Sequence, residues 1–177
     1  MDIKASQVKE LRDRTGVAMM DCKKALVECE GNIEKALDFL RSNSALKAEK
    51  KSSRIAADGM LITSINDDYA TIVELNSETD FAAKDSNFLS FGEKIKEYIS
   101  NVKITHASSF LDSPLEEERK SLIQTIGENI QIRRLETLEF DSDMCVGVYL
   151  HGDTKLGSIV VVKNGNDLIA KDIAMHV

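Results

Sequence analysis

A chain of 177 residues with 42% apolar residues is long and apolar enough for one or two folded cores, which excludes the disordered class. Tryptophan is absent and aromatics make up only 5%, so the core must be mostly aliphatic. The net charge of −7 is uneven, with 12 basic and 10 acidic residues in 1–58 against 11 and 20 in 59–177; this acidic body lacks the basic face that a duplex-phosphate binder needs.

The first predicted helix covers residues 3–15, with Ile3, Val8 and Leu11 among charges, and stops at Gly16, a good C′ residue. Met19, Cys22, Ala25, Leu26 and Cys29 repeat at helical spacing and stop at Gly31. Asn32 is suited to cap a third helix whose face carries Ile33, Leu37 and Leu40. These predict a three-helix domain over residues 1–45. Residues 42–58 are helix-prone but weakly amphipathic, with Lys47, Lys50, Lys51 and Arg54. They read as a linker helix, with the boundary at 46–58; an RNA-binding tract is the sharper alternative. No aromatic residues interleave with these bases, so stacking on single strands has no support.

At Gly59 the period changes. Residues 60–65 form a strand, Asn66-Asp67-Asp68 a turn, and 69–75 the partner strand. A polar loop with Asp80 and Phe81 follows, then a helix marked by Phe88, Phe91, Ile95 and Ile99. Ser113-Pro114 opens another helix with Leu122, Ile123 and Ile126 on its apolar face. Residues 129–140 read as a strand whose apolar alternation is imperfect in phase. Residues 146–150 and 156–162 make a hairpin around His151-Gly152-Asp153, and a last helix starts near Asn166-Asp167. The expected fold class is α+β: a helical headpiece, a linker helix, and a small antiparallel sheet packed with helices. A core subdomain is expected at 59–140. A second is expected at 141–177, incomplete because its last helix ends without a stop signal and so suggests a truncated product.

No nucleophile elbow, zinc-protease helix, Walker loop or dinucleotide fingerprint is present, so an enzyme of the α+β class is disfavoured and no cofactor is expected. Cys22, Cys29 and Cys145 show no metal spacing and suit small core positions, and His106, His151 and His176 are too scattered to suggest a metal site. His151 is either a solvated turn residue or a partner contact. Met19 and Met20 are about 100° apart on a helix, so one of them is expected to be exposed. Lys23 and Lys24 are most simply solvated charges. Phe81 is either a core aromatic or an exposed one. No amino-terminal apolar run follows a basic segment, and no stretch approaches the ~20 residues of a membrane span, so the chain reads as cytoplasmic with no membrane partner.

The run Glu74-Leu75-Asn76-Ser77-Glu78-Thr79-Asp80-Phe81-Ala82-Ala83-Lys84 resembles one signature of the elongation factor Ts family. Residues 11–26, from Leu11-Arg12-Asp13-Arg14-Thr15-Gly16 to Lys24-Ala25-Leu26, resemble the other, and Ile126-Gly127-Glu128-Asn129-Ile130-Gln131-Ile132-Arg133-Arg134 is similar to a third family segment. Ala82 departs from the family's usual Val, and Val17-Ala18 from a small Ala-Gly pair. The segment Gly31-Asn32-Ile33-Glu34-Lys35-Ala36-Leu37 resembles the third helix of ubiquitin-associated domains, which is the fold of the family's headpiece.

The resemblance implies guanine nucleotide exchange on elongation factor Tu, a GTPase. Thr79, Asp80, Phe81 and Ala82 would pry at the GTPase's Mg²⁺ region, and Arg12, Met19, Met20 and Lys23 would dock the headpiece. It implies a homodimer in the full-length form; the missing motifs and the acidic body already lead one to expect no cofactor and no nucleic-acid partner. The rival from another class is a ubiquitin-associated binding module with an unrelated body; Thr15-Gly16-Val17 lacks the aromatic that such a loop usually carries.

Overall fold

The computed structural model describes residues 3–177, and the chain divides into two compact units, 1–55 with 117–129 and 56–116 with 130–177. The first unit holds helices α1 (Ala5–Thr15), α2 (Met19–Glu28) and α3 (Ile33–Lys51). Helix α1 ends at Gly16, whose φ of 68° is cheap only for glycine and lets its N–H reach the Arg12 carbonyl at 2.7 Å. Asn32 caps α3, its side-chain oxygen accepting from the Lys35 N–H at 3.0 Å. Val8, Leu11, Val17, Cys22, Ala25, Leu26, Ala36 and Leu40 close the core. Burial pushes the Cys22 thiol up, so it stays neutral in this aliphatic setting.

The third helix and the linker helix expected from the sequence are one element, because no glycine or proline interrupts residues 33–51. Ser42 and Ser44 donate to the Asp38 and Arg41 carbonyls and so satisfy their hydroxyls within the helix. The C-terminal part of α6 (Pro114–Ile126) belongs to this unit too. Lys51 Nζ donates to the Ile123 carbonyl, and Asn129 Nδ2 donates to the Arg54 carbonyl at 2.7 Å.

The second unit is built on strands β1 (Asp58–Ile65), β2 (Tyr69–Ser77) and β3 (Gln131–Glu139), antiparallel in that order. Met60, Ile62 and Ser64 pair with Leu75, Val73 and Thr71. Helix α5 (Ser86–Asn101) buries Phe88, Phe91, Ile95 and Ile99, the face expected from spacing. A bulge at Glu74/Leu75 pairs Val73 with Leu135 but Leu75 with Ile132, three positions apart on β3 instead of two. This extra residue is the physical cause of the imperfect alternation in that strand. It also brings both Arg133 and Arg134 onto Glu74, at 3.5 and 2.5 Å.

Strands β4 (Met144–Leu150) and β5 (Gly157–Lys163) form a separate two-stranded sheet, so the single small sheet expected from the sequence is corrected to two. Helix α7 (Asp167–His176) lies tightly on it: a Cβ at Gly147 would sit 2.0 Å from the Ala170 carbonyl oxygen. Ala170 and Ala174 supply the small faces this approach needs. No described helix is long and apolar enough to cross a membrane.

Candidate functional site

Strand β2 ends at Ser77, and within three residues the chain enters α4 (Asp80–Ala83), a single helical turn where the sequence suggests only a loop. Thr79 is its N-cap, with extended backbone and a hydroxyl that accepts from the Ala82 N–H at 3.3 Å. Below it, fully buried Ser77 donates to the Thr79 carbonyl at 3.0 Å. The Ala83 and Asp85 amides donate to the Thr79 and Ala82 carbonyls, and Asp85 then caps α5 through the Asn87 N–H at 2.8 Å. The backbone of this knuckle is therefore bonded at both ends.

The side chains sort by that geometry. Ala82 and Ala83 turn inward, with Ala82 5% exposed, so Ala82 can shape the turn but its methyl is not presented outward. Phe81 points outward and is 82% exposed, the less common fate of a phenylalanine. Asp80 pairs with Lys84 at 2.8 Å across one turn, and that hydrogen bond holds its carboxyl below the usual carboxylate range. Nearby, Asp58 pairs with Lys155 at 2.7 Å, and both charges act on Asp80.

Lys84, Lys155 and Asp58 have no place among the site residues expected from the sequence. The four-residue spacing of Asp80 and Lys84 makes that pair readable as a helix pair, but only once the loop is recognised as helical. The Asp58–Lys155 pair joins residues far apart in the chain and leaves no local signal.

The headpiece residues belong to the other unit. Met19 and Met20 are both exposed, 43% and 65%, because the buried position before them is taken by Val17 and the one after them by Cys22. The helix spacing leads one to expect at least one exposed thioether, and both are. Lys23 and Arg12 are exposed as well. Met20, Lys23, Lys24, Val27 and Glu28 line a shallow depression on α2. His151 lies exposed in the β4–β5 turn, with Nδ1 2.6 Å from the Tyr149 hydroxyl. Among the described residues no group of three or more His, Cys, Asp or Glu is placed to hold a metal ion.

An aromatic ring held outward on a capped turn, beside paired surface charges, has the geometry of a surface-contact protein: a protrusion and not a pocket. A family model described as elongation factor TS matches residues 78–177. The chain is 49% identical to elongation factor Ts of Hahella chejuensis over 177 residues, 99% of this chain and 61% of that protein. It is 46% identical to elongation factor Ts of Marinobacter nauticus, covering 60% of it, and 46% identical to elongation factor Ts of Arthrospira platensis, covering 73%. The chain belongs to the elongation factor Ts family. It spans about three fifths of the length of the first two relatives. Family membership does not favour the alternative of a ubiquitin-associated module with an unrelated body.

Proposed function

We propose that this chain is a translation factor that promotes GDP release from elongation factor Tu, as a non-catalytic exchange factor. The observation that carries the reading is Phe81, 82% exposed on a turn that is hydrogen-bonded at both ends. An exposed aromatic on a rigid support loses little conformational freedom on docking, which suits it to act as a wedge.

A GTPase holds its nucleotide through Mg²⁺ and a phosphate loop, and Mg²⁺ tolerates little distortion of its octahedron. An exchange factor need only bind the distorted state more tightly; by linkage, factor and nucleotide then weaken each other equally. Thr79, Asp80, Phe81 and Ala82 are the prying element in this reading, with Ala82 acting through the shape of the turn. Shifting a partner from 1:99 to 99:1 takes about 5.5 kcal/mol of differential binding. Burying one phenylalanine contributes about 1.5–3 kcal/mol. A second footprint is therefore required, and we assign it to Arg12, Met19, Met20 and Lys23. Exposed thioethers beside a lysine suit an adaptable partner surface.

The same reading divides the chain into a ubiquitin-associated-like docking domain at 1–45, a linker at 46–58 whose first residues continue α3, a core subdomain at 59–140 and a second at 141–177. It takes the factor as cytoplasmic, with a homodimer in the full-length form. The test is release of labelled GDP from elongation factor Tu with and without the chain. Acceleration supports the reading, and release at the intrinsic rate sinks it.

A further inference from the structure

The turn between β4 and β5 is fastened to β1, whose first residue pairs with the end of β2 from which the Phe81 knuckle grows. Lys155 Nζ meets Asp58 Oδ1 at 2.7 Å, and the Leu61 N–H donates to the Thr154 carbonyl at 2.7 Å. Asp58 is the first residue of β1 and pairs in register with Ser77, the last of β2. The link continues through the bond from Ser77 Oγ to the Thr79 carbonyl, which is the N-cap residue of the knuckle. Asn76 Nδ2 adds a bond to the Asp58 carbonyl at 3.0 Å.

On the other side of the fastening, the turn is held tightly around His151. Its N–H donates to the Leu156 carbonyl at 2.8 Å, its carbonyl accepts from the Thr154 N–H at 2.6 Å, and its ring bonds to Tyr149. Thr154 takes a φ of 59°, unusual for a β-branched residue, so the turn is kept in a shape that its own backbone does not favour. The contacts across the turn and to β1 are what oppose that cost.

We infer that Lys155 is a positioning residue: through its ion pair with Asp58 it docks the β4–β5 turn against the base of the knuckle, so that Phe81 and His151 meet one partner as a single preformed surface. The inference rests on the exchange-factor reading above. The partner face that fits this surface has an apolar socket for the ring and a hydrogen-bonding group for the imidazole. Preorganisation of this kind improves binding by removing ordering costs, not by adding contacts.

The experiment measures GDP release from elongation factor Tu by the full chain, by Lys155→Met, by Lys155→Arg, by His151→Ala, and by Lys155→Met combined with His151→Ala. Amide exchange of Leu61 and Thr154 is followed in the same free proteins. A positioning role predicts a loss of roughly three- to tenfold for Lys155→Met, recovery in Lys155→Arg, and no further loss in the His151→Ala background. It also predicts faster exchange at Leu61 in Lys155→Met, which loss of a direct partner contact would not cause. Additive losses, or unchanged Leu61 exchange, would overturn it. An unstimulated wild-type reaction sinks both readings; a stimulated wild type matched by Lys155→Met sinks only this one.

Discussion

At the scale of single residues, the hydrophobic pattern leaves Phe81 open between core and surface, and hydrogen bonds decide. Once Thr79 caps the turn, successive side chains are spaced by about 100°. Ala82 and Ala83 then take the inward directions, and Phe81 is left outside. This arrangement separates folding from function at one position. A buried phenylalanine replaced by alanine costs about 3–5 kcal/mol, whereas an exposed one costs within about 0.5 kcal/mol. Phe81→Ala is therefore expected to shift the melting temperature by less than about 2 °C. Its effect belongs to the partner reaction: losing about 1.5–3 kcal/mol of differential binding slows stimulated GDP release roughly 10- to 150-fold. Calorimetry beside a release assay checks both halves. A variant that melts many degrees lower would mean the ring is a core residue after all.

At the scale of elements, the knuckle depends on its cap more than on its length, since four residues cannot sustain a helix alone. Replacing an N-cap threonine by alanine costs about 1 kcal/mol. Thr79→Ala is expected to leave the rest of the unit folded while the Ala82 amide, which donates to Thr79 Oγ1, exchanges roughly fivefold faster. Unchanged exchange at Ala82 would show that the cap does not hold the turn. The opposite dependence, on the absence of a side chain, occurs at Gly147. A methyl there would sit 2.0 Å from the Ala170 carbonyl, so α7 must move off β4. Gly147→Ala is expected to cost about 1–3 kcal/mol or more, read as a lower melting temperature with lost amide protection in α7.

These elements also mark how far the sequence can be read. Helices α1, α2 and α5 follow from apolar spacing with glycine or polar stops, and those signals are local. The β3 phase is not readable alone, because its extra residue answers to a bulge opposite β2. The join of the third helix to the linker follows from an absence of breakers, which is weaker evidence than a stop. The one-turn α4 lacks the length for any periodic signal, and the Lys155–Asp58 fastening is a tertiary pair that no window of sequence contains.

At the scale of the whole molecule, the proposed footprints fall in different units, and in the proposed reading neither alone supplies the differential binding that exchange requires. The headpiece core closes on residues between Val8 and Leu40, so these helices carry their own apolar cluster. The unit also draws on 117–129, where Asn129 holds the Arg54 carbonyl and Lys51 reaches the Ile123 carbonyl. A fragment of residues 1–53 lacks those bonds and lacks the knuckle. It is expected to fold with reduced stability and to bind elongation factor Tu weakly through the exposed Met19 and Met20 surface. Without the wedge the headpiece supplies only part of the differential binding, about 5.5 kcal/mol, that the shift takes. The fragment should therefore release GDP far more slowly than the full chain even at saturating concentration. In excess it should compete with the full chain and slow the stimulated reaction. Titration calorimetry gives the affinity, and a release assay with fragment and full chain together gives the competition. A fragment that stimulates release as well as the full chain would move the active element from the Phe81 knuckle to the headpiece.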